Sequence, residues 1–182
     1  MRRAATLRDR RIRPRYRGSA FVSANAPGPN IWDMTAPTPY IHLPGNARDA
    51  LNFYGDVFGC SVQLHTFDEF SRTDGPADAI AHGYLVEGPV ALLAADVTGD
   101  EPSLSCEGLM LSLLGAAAPS VLRNWFSRLS EGGRIVADLQ TRPWGASDGQ
   151  VIDRYGLHWL IGFEAAEAGE SPTVLVATTV KV

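Results

Sequence analysis

Apolar residues first recur with a readable period at Tyr40. Tyr40 to Leu43 is a short apolar run closed by Pro44-Gly45, which predicts a strand. Asn46 then stands as a helix N-cap before Ala47, Ala50, Leu51, Tyr54, Val57 and Phe58, spaced at helical period, and Gly59 occupies the place of a C′ glycine. Ser61 to Phe67 alternates like a strand and is followed by a polar stretch, Asp68 to Asp78, with loop composition. Ala79 to Val86 and Pro89 to Ala95 flank Glu87-Gly88, a two-residue hairpin signal. The predicted order is strand, helix, strand, strand, strand.

The same order returns after a loop from Asp96 to Cys106. Leu109 to Leu114 reads as a strand, and Pro119, suited to a first helical position, opens a helix whose inward face is Val121, Leu122, Trp125, Phe126 and Leu129. Gly132-Gly133 ends it. Arg134 to Gln140, Trp144 to Ile152 and Leu157 to Phe163 follow as strands, with Asp153 to Gly156 as a turn. Aligning Tyr54 with Trp125, and Gly59 with the glycine pair, brings the halves into register at about 70 residues. The prediction is an α+β body, a βαβββ unit used twice over residues 36–96 and 106–164. Such a unit covers one face of its small sheet with its helix and leaves the other open. Paired edge to edge, the units would form a curved, mixed, eight-stranded sheet with both helices on the convex side and a concave side lining a cup, the kind of surface on which small ligands bind.

Particular residues add to that pattern. Pro39-Tyr40-Ile41 before Gly45-Asn46-Ala47, Ala50-Leu51-Asn52-Phe53-Tyr54 and Phe58-Gly59 resemble the vicinal oxygen chelate superfamily of glyoxalases, bleomycin-resistance proteins and extradiol dioxygenases. Ala79-Ile80-Ala81-His82, Trp125-Phe126, Gly132-Gly133, Trp144-Gly145 and Asp153-Arg154-Tyr155-Gly156-Leu157-His158-Trp159 are similar to its PhnB-like branch. The resemblance spans about residues 36–164 and implies a homodimer. It also implies a divalent ion held from the first and fourth strands of each unit. Carried over residue by residue, the ligand positions fall on Pro39, Leu93, Gly108 and Leu160, none of which can coordinate a metal. No metal and no other cofactor is therefore expected.

The four histidines, His42, His65, His82 and His158, fall on four predicted strands without ligand spacing. If Pro39 marks the cup-facing phase, His42 points to the helix side, and a hydrogen-bonded packing role is expected of it. His158 shares the phase of Leu160 and is expected to face the cup, with ligand-contacting and merely solvated roles both open. His82 sits on the third strand, where the sequence does not fix the face. Trp144, between Arg142-Pro143 and Gly145 near the rim, either stacks on an aromatic or cationic ligand or plugs the sheet end. His82, Trp144 and His158 are thus the candidate ligand-binding residues. Trp125 and Trp159 are expected in the core, and the acidic pair Asp68-Glu69 in a solvated loop.

Composition narrows the function. Cys60 and Cys106 are too few for a disulfide framework and suit a reducing cytoplasm, the expected location. The formal charge of −4 joins two unlike parts: residues 1–33 carry eight arginines against Asp9 and Asp33, and the body from Met34 is strongly acidic. That body excludes a nucleic-acid footprint and modestly favours cationic ligands. Residues 1–33 lack an apolar run for a membrane span and read as a disordered leader before a natural-looking start at Met34. Residues 165–182 form a tail whose Thr173 to Val180 run suits an extra edge strand. P-loop, dinucleotide, GxSxG and CxxC motifs are absent. Two readings follow. The first is a metal-independent small-molecule binding protein of bleomycin-resistance type that uses the concave sheet face. The second is an enzyme of the same superfamily, lyase-, isomerase- or dioxygenase-like, acting on a small oxygenated substrate with a non-standard or absent metal site and His82 or His158 as acid/base.

Overall fold

The computed structural model describes residues 37–164. The leader over 1–33 and the tail over 165–182, with its expected edge strand, lie outside the described residues. Within them the elements run β1 (Tyr40–Leu43), α1 (Ala47–Phe58), β2 (Ser61–Thr66), a 3-10 turn (Asp68–Phe70), β3 (Ile80–Val86), β4 (Leu93–Asp96), β5 (Leu111–Leu114), α2 (Pro119–Ser130), β6 (Arg134–Thr141), β7 (Ser147–Ile152) and β8 (His158–Phe163). Each predicted strand and both helices are present.

Hydrogen bonding divides the eight strands into two four-stranded sheets of the same order, β1-β4-β3-β2 and β5-β8-β7-β6. In each, the first strand runs parallel to the last and the remaining pairs are antiparallel. The duplication read from the sequence is thus a duplication of topology. The open edge of β1 does not meet β5; its His42 carbonyl instead accepts the Leu104 N–H of the linker.

α1 forms where the apolar spacing placed it, burying Ala47, Ala50, Leu51, Tyr54, Val57 and Phe58, and it ends on Gly59 in the left-handed region. Its start is held differently from the expectation. Asn46 makes no side-chain cap; the Asp96 carboxylate, from the end of β4, accepts the N–H groups of Ala47 and Ile80 at 2.8 Å each. One buried carboxylate thereby ties the helix N-terminus to two strands. Close approach of α1 to β3 needs Gly83, where a Cβ would lie 2.4 Å from Leu51 Cδ1. α2 begins at Pro119 and buries Leu122, Trp125, Phe126 and Leu129. Val121, expected on that stripe, is exposed. It lies about 100° round the helix from Leu122, beyond the i, i+3, i+4, i+7 face.

Two further local expectations are corrected. The β3–β4 connection is not a two-residue hairpin: Gly83 pairs with Ala94, Tyr84 with Leu93, and Leu85 N–H reaches the Leu92 carbonyl. Pro89 has no N–H to donate, so the ladder cannot close next to Glu87-Gly88 and the loop extends to Leu92. Likewise β7 starts at Ser147, because Gly145 at φ +94° and the Gly145 N–H bond to the Arg142 carbonyl make a turn of Trp144-Gly145.

The two modules share one core. Tyr54 and Phe58 of α1 lie against Trp159 of β8, and Phe58 meets Trp125 of α2 edge-on at 5.2 Å between ring centroids. At its centre Asp153, buried in the β7–β8 turn, accepts four hydrogen bonds: from Tyr54 Oη at 2.8 Å, Trp159 Nε1 at 2.7 Å, and the N–H groups of Tyr155 and Leu157. Burial nevertheless holds its carboxyl above the usual carboxylate range.

Candidate ligand-binding faces

Ile41 and Leu43 are buried on the helix side of the first sheet, so Tyr40 and His42 stand on its open face. The expected phase is therefore reversed for His42: the core pair Ile41 and Leu43 decides which way β1 turns, and Pro39 precedes the strand. On β3, Gly83 and Leu85 turn to the helix and His82 and Tyr84 to the open face, beside His65 of β2.

These side chains form a ring-lined concavity of about 670 Å3, bounded by His65, Phe70, Arg72, Ala81, His82, Tyr84 and Leu93. Tyr40 is stacked on His82 with centroids 5.6 Å apart, and its hydroxyl lies 3.0 Å from His82 Nδ1. His82 and Tyr84 are 5.3 Å apart, Tyr84 and His65 6.1 Å, and Phe70 stands edge-on to His65. Tyr84 Oη donates to Gln63 Oε1 at 2.6 Å. His65 Nδ1 lies 3.1 Å from Glu69, so this acid, expected to be merely solvated, orients an imidazole. Arg72 lies over the Phe67 ring and donates through Nε and Nη2 to Asp74.

Burial first, and the neighbouring His65 second, push the His82 imidazole below its ordinary value, while burial raises the Tyr40 phenol. Both directions keep the proton on the phenol oxygen and leave the ring neutral at pH 7. We therefore assign the phenol as donor to Nδ1, which places the ring's own N–H on Nε2. A lowered native value means that the stability linked to this group is present above pH 6.5 and is lost as pH falls through the native midpoint. In a proton NMR titration the His82 ring should show a midpoint below 6.5; one at or above that value contradicts the assignment.

Trp144 and His158 do not join this group. Trp144, 72% exposed, borders a separate concavity of about 720 Å3 on the open face of the second sheet, with Leu114, Asp148, Leu160, Gly162, Phe163 and Glu164. Asp148 is held there by Arg142 at 2.8 Å. His158 is half-buried opposite Ile152 on β7 and lines neither concavity; its Nε2 is buried without a partner among the described residues. Trp125 and Trp159 are in the core as expected. The residues missed by sequence reading are Tyr40, His65, Phe70, Arg72 and Tyr84. The shared parity of His82 and Tyr84 on β3 was the available signal.

The residues present do not fit the divalent ion of the resemblance. Leu93 and Leu160 stand on the open faces, and Pro39 and Gly108 precede their strands; none of the four carries a donor side chain. Among the described residues no three His, Cys, Asp or Glu gather at metal-binding distance.

Comparison with known proteins places this architecture. No family model matches the chain. Protein YjdN of Escherichia coli (strain K12) is 25% identical over 138 residues, covering 68% of this chain and 92% of that protein. A Pseudomonas aeruginosa crystal structure superposes with a TM-score of 0.61 at 29% identity, over 72% of this chain and 98% of that one. The PhnB protein of Bacillus cereus superposes at 0.59 with 20% identity, over 71% and 98%. The chain has a fold of the vicinal oxygen chelate type and is similar to PhnB-like proteins. The paired βαβββ modules of the chain are its two four-stranded sheets, each with one face left open by its helix. Among the described residues no helix is long and apolar enough to cross a membrane.

Proposed function

We propose that this PhnB-like chain is a metal-independent small-molecule binding protein, acting in the cytoplasm as a homodimer, whose ligand lies on the open face of the first sheet. The observation that supports this reading is the ring-lined concavity of about 670 Å3, with Tyr40, His65, Phe70, His82 and Tyr84 on or beside its wall. Volumes of this size suit small organic molecules, and rings bind them by area and stacking without a Lewis acid. His82 is the ligand-binding residue carried over from the sequence. Trp144 belongs to the second sheet's face and is assigned a peripheral contact there, and His158, on the same face of β8 as Leu160 but lining neither concavity, is assigned no ligand contact.

The test is elemental analysis of the purified protein, paired with a thermal-shift screen with and without EDTA. Saturable stabilisation by a hit, unchanged by EDTA and lost in His82→Ala, is expected. A stoichiometric divalent metal retained through desalting overturns the metal-independent reading, and a monomeric sedimentation value at micromolar concentration overturns the dimer.

A second reading rests on the hydrogen-bonded Tyr40–His82 pair. A neutral imidazole beside a phenol can take and return a proton, so the same face would suit acid/base chemistry on a small oxygenated substrate. Turnover of a bound hit that disappears in both Tyr40→Phe and His82→Ala would favour it over binding alone.

A further inference from the structure

We infer that the ligand of the first sheet's open face is a planar aromatic anion, a flat ring system bearing a carboxylate or comparable oxygen anion. This rests on the reading that the face binds a small molecule, and adds to it both shape and charge.

Shape follows from the rings. Tyr40 and His82 lie within 28° of parallel, His65 and Tyr84 within 30°, and the two pairs meet through the 5.3 Å contact of His82 with Tyr84. Rings ranged in this way present edges and outer faces, against which a flat aromatic gains offset-stacked or edge-to-face contact that a puckered aliphatic of equal volume cannot use. Leu93 supplies an apolar floor and Phe70 an edge.

Charge follows from what the wall holds and what it lacks. The lining includes two imidazoles and a guanidinium and no carboxylate. The neighbouring acids are the partners of the wall's own basic groups, Glu69 at His65 Nδ1 and Asp74 at Nε and Nη2 of Arg72, so both carboxylates already face a basic partner. With Tyr40 donating to His82 Nδ1, the Nε2–H of His82 is left as a donor. The acidic body would steer cations over long range, but ionic screening attenuates that effect beyond about 8–10 Å, and groups in contact decide selectivity. The second sheet's concavity is opposite in kind, with Trp144, Asp148 and Glu164 on its wall.

The test uses the full chain and three probes: 2-naphthoate, 2-naphthylmethylammonium and cyclohexanecarboxylate, followed by calorimetry and by the His65 and His82 ring resonances. Naphthoate should bind at least about tenfold more tightly than either of the others and shift both rings. Arg72→Gln should abolish the preference for naphthoate over the naphthyl cation while naphthyl binding persists. Equal or tighter binding of the cation at these rings overturns the charge assignment, and equal binding of cyclohexanecarboxylate overturns the planar one; in both cases small-molecule binding at this face survives. Failure of all three to saturate or to move the His82 resonances overturns the inference and the binding reading together.

Discussion

An Asp153→Ala variant should lose on the order of 4 kcal/mol of stability, a fall in melting temperature of roughly 15 °C. The carboxylate is the shared acceptor of a phenol, an indole and two backbone N–H groups, all in the interior. Removing it strands four donors, and each unsatisfied buried donor costs about 1–3 kcal/mol, moderated where water enters the vacated space. Tyr54→Phe removes one of these bonds and keeps the ring packing, so about 1 kcal/mol is expected. Asp153→Asn should fall between the two, because its amide keeps one acceptor oxygen and turns a donor toward donors. The charge state adds a pH dependence of defined sign. Burial outweighs the four donors and raises the native pKa, so the native state holds this proton more tightly than the unfolded chain does. The stability linked to the group therefore declines as pH rises from about 4 through the raised native value. Thermal unfolding of the three variants is the measurement; an alanine variant melting within a few degrees of the parent would remove Asp153 from the centre of the fold.

Asp153 also marks where sequence reading stops. Asp153 to Gly156 was legible as a turn from its residue types, but nothing local shows that the first of them is buried. Its partner Tyr54 stands 99 positions earlier, on the other module's helix. Periodicity sees only neighbours, so the strands, both helices and the duplication were legible, and the contact joining the halves was not. The open face was lost for a related reason. β1 has four residues, too few for alternation to fix its phase unaided, and the phase taken from Pro39 is opposite to that set by Ile41 and Leu43. His82 was legible through its likeness to the PhnB-like pattern. Its companions Tyr40, His65 and Tyr84 became visible only once β1, β2 and β3 were in register. Trp144 and His158, legible as site candidates, belong to the second sheet, and the pattern that suggested one shared cup did not show that the two open faces form separate concavities.

The shared core leads to the largest expected effect: residues 37–100, produced alone, should not fold, although they contain a complete βαβββ unit. Tyr54 is fully buried and Phe58 nearly so, and both owe this partly to Trp125 and Trp159 of the second module. Phe53 is covered by Tyr155, with the Arg154 guanidinium over its ring. Returning these three rings to water costs on the order of 5 kcal/mol at about 1.5–3 kcal/mol for a fully buried side chain. A whole domain is stable by only about 5–15 kcal/mol, and a unit of some 60 residues stands near the lower end of what a single core supports. The Tyr54 hydroxyl would also lose its acceptor, Asp153. Circular dichroism and urea titration of the fragment should show no cooperative transition, and adding residues 101–164 should restore one. A sharp two-state transition in the isolated fragment would show that each module carries its own sufficient core. In that case the first ring-lined face could exist without the second module. If the fragment is unfolded, the face on which ligand binding is proposed is held in shape from behind by α1, and α1 is held by the other half of the chain.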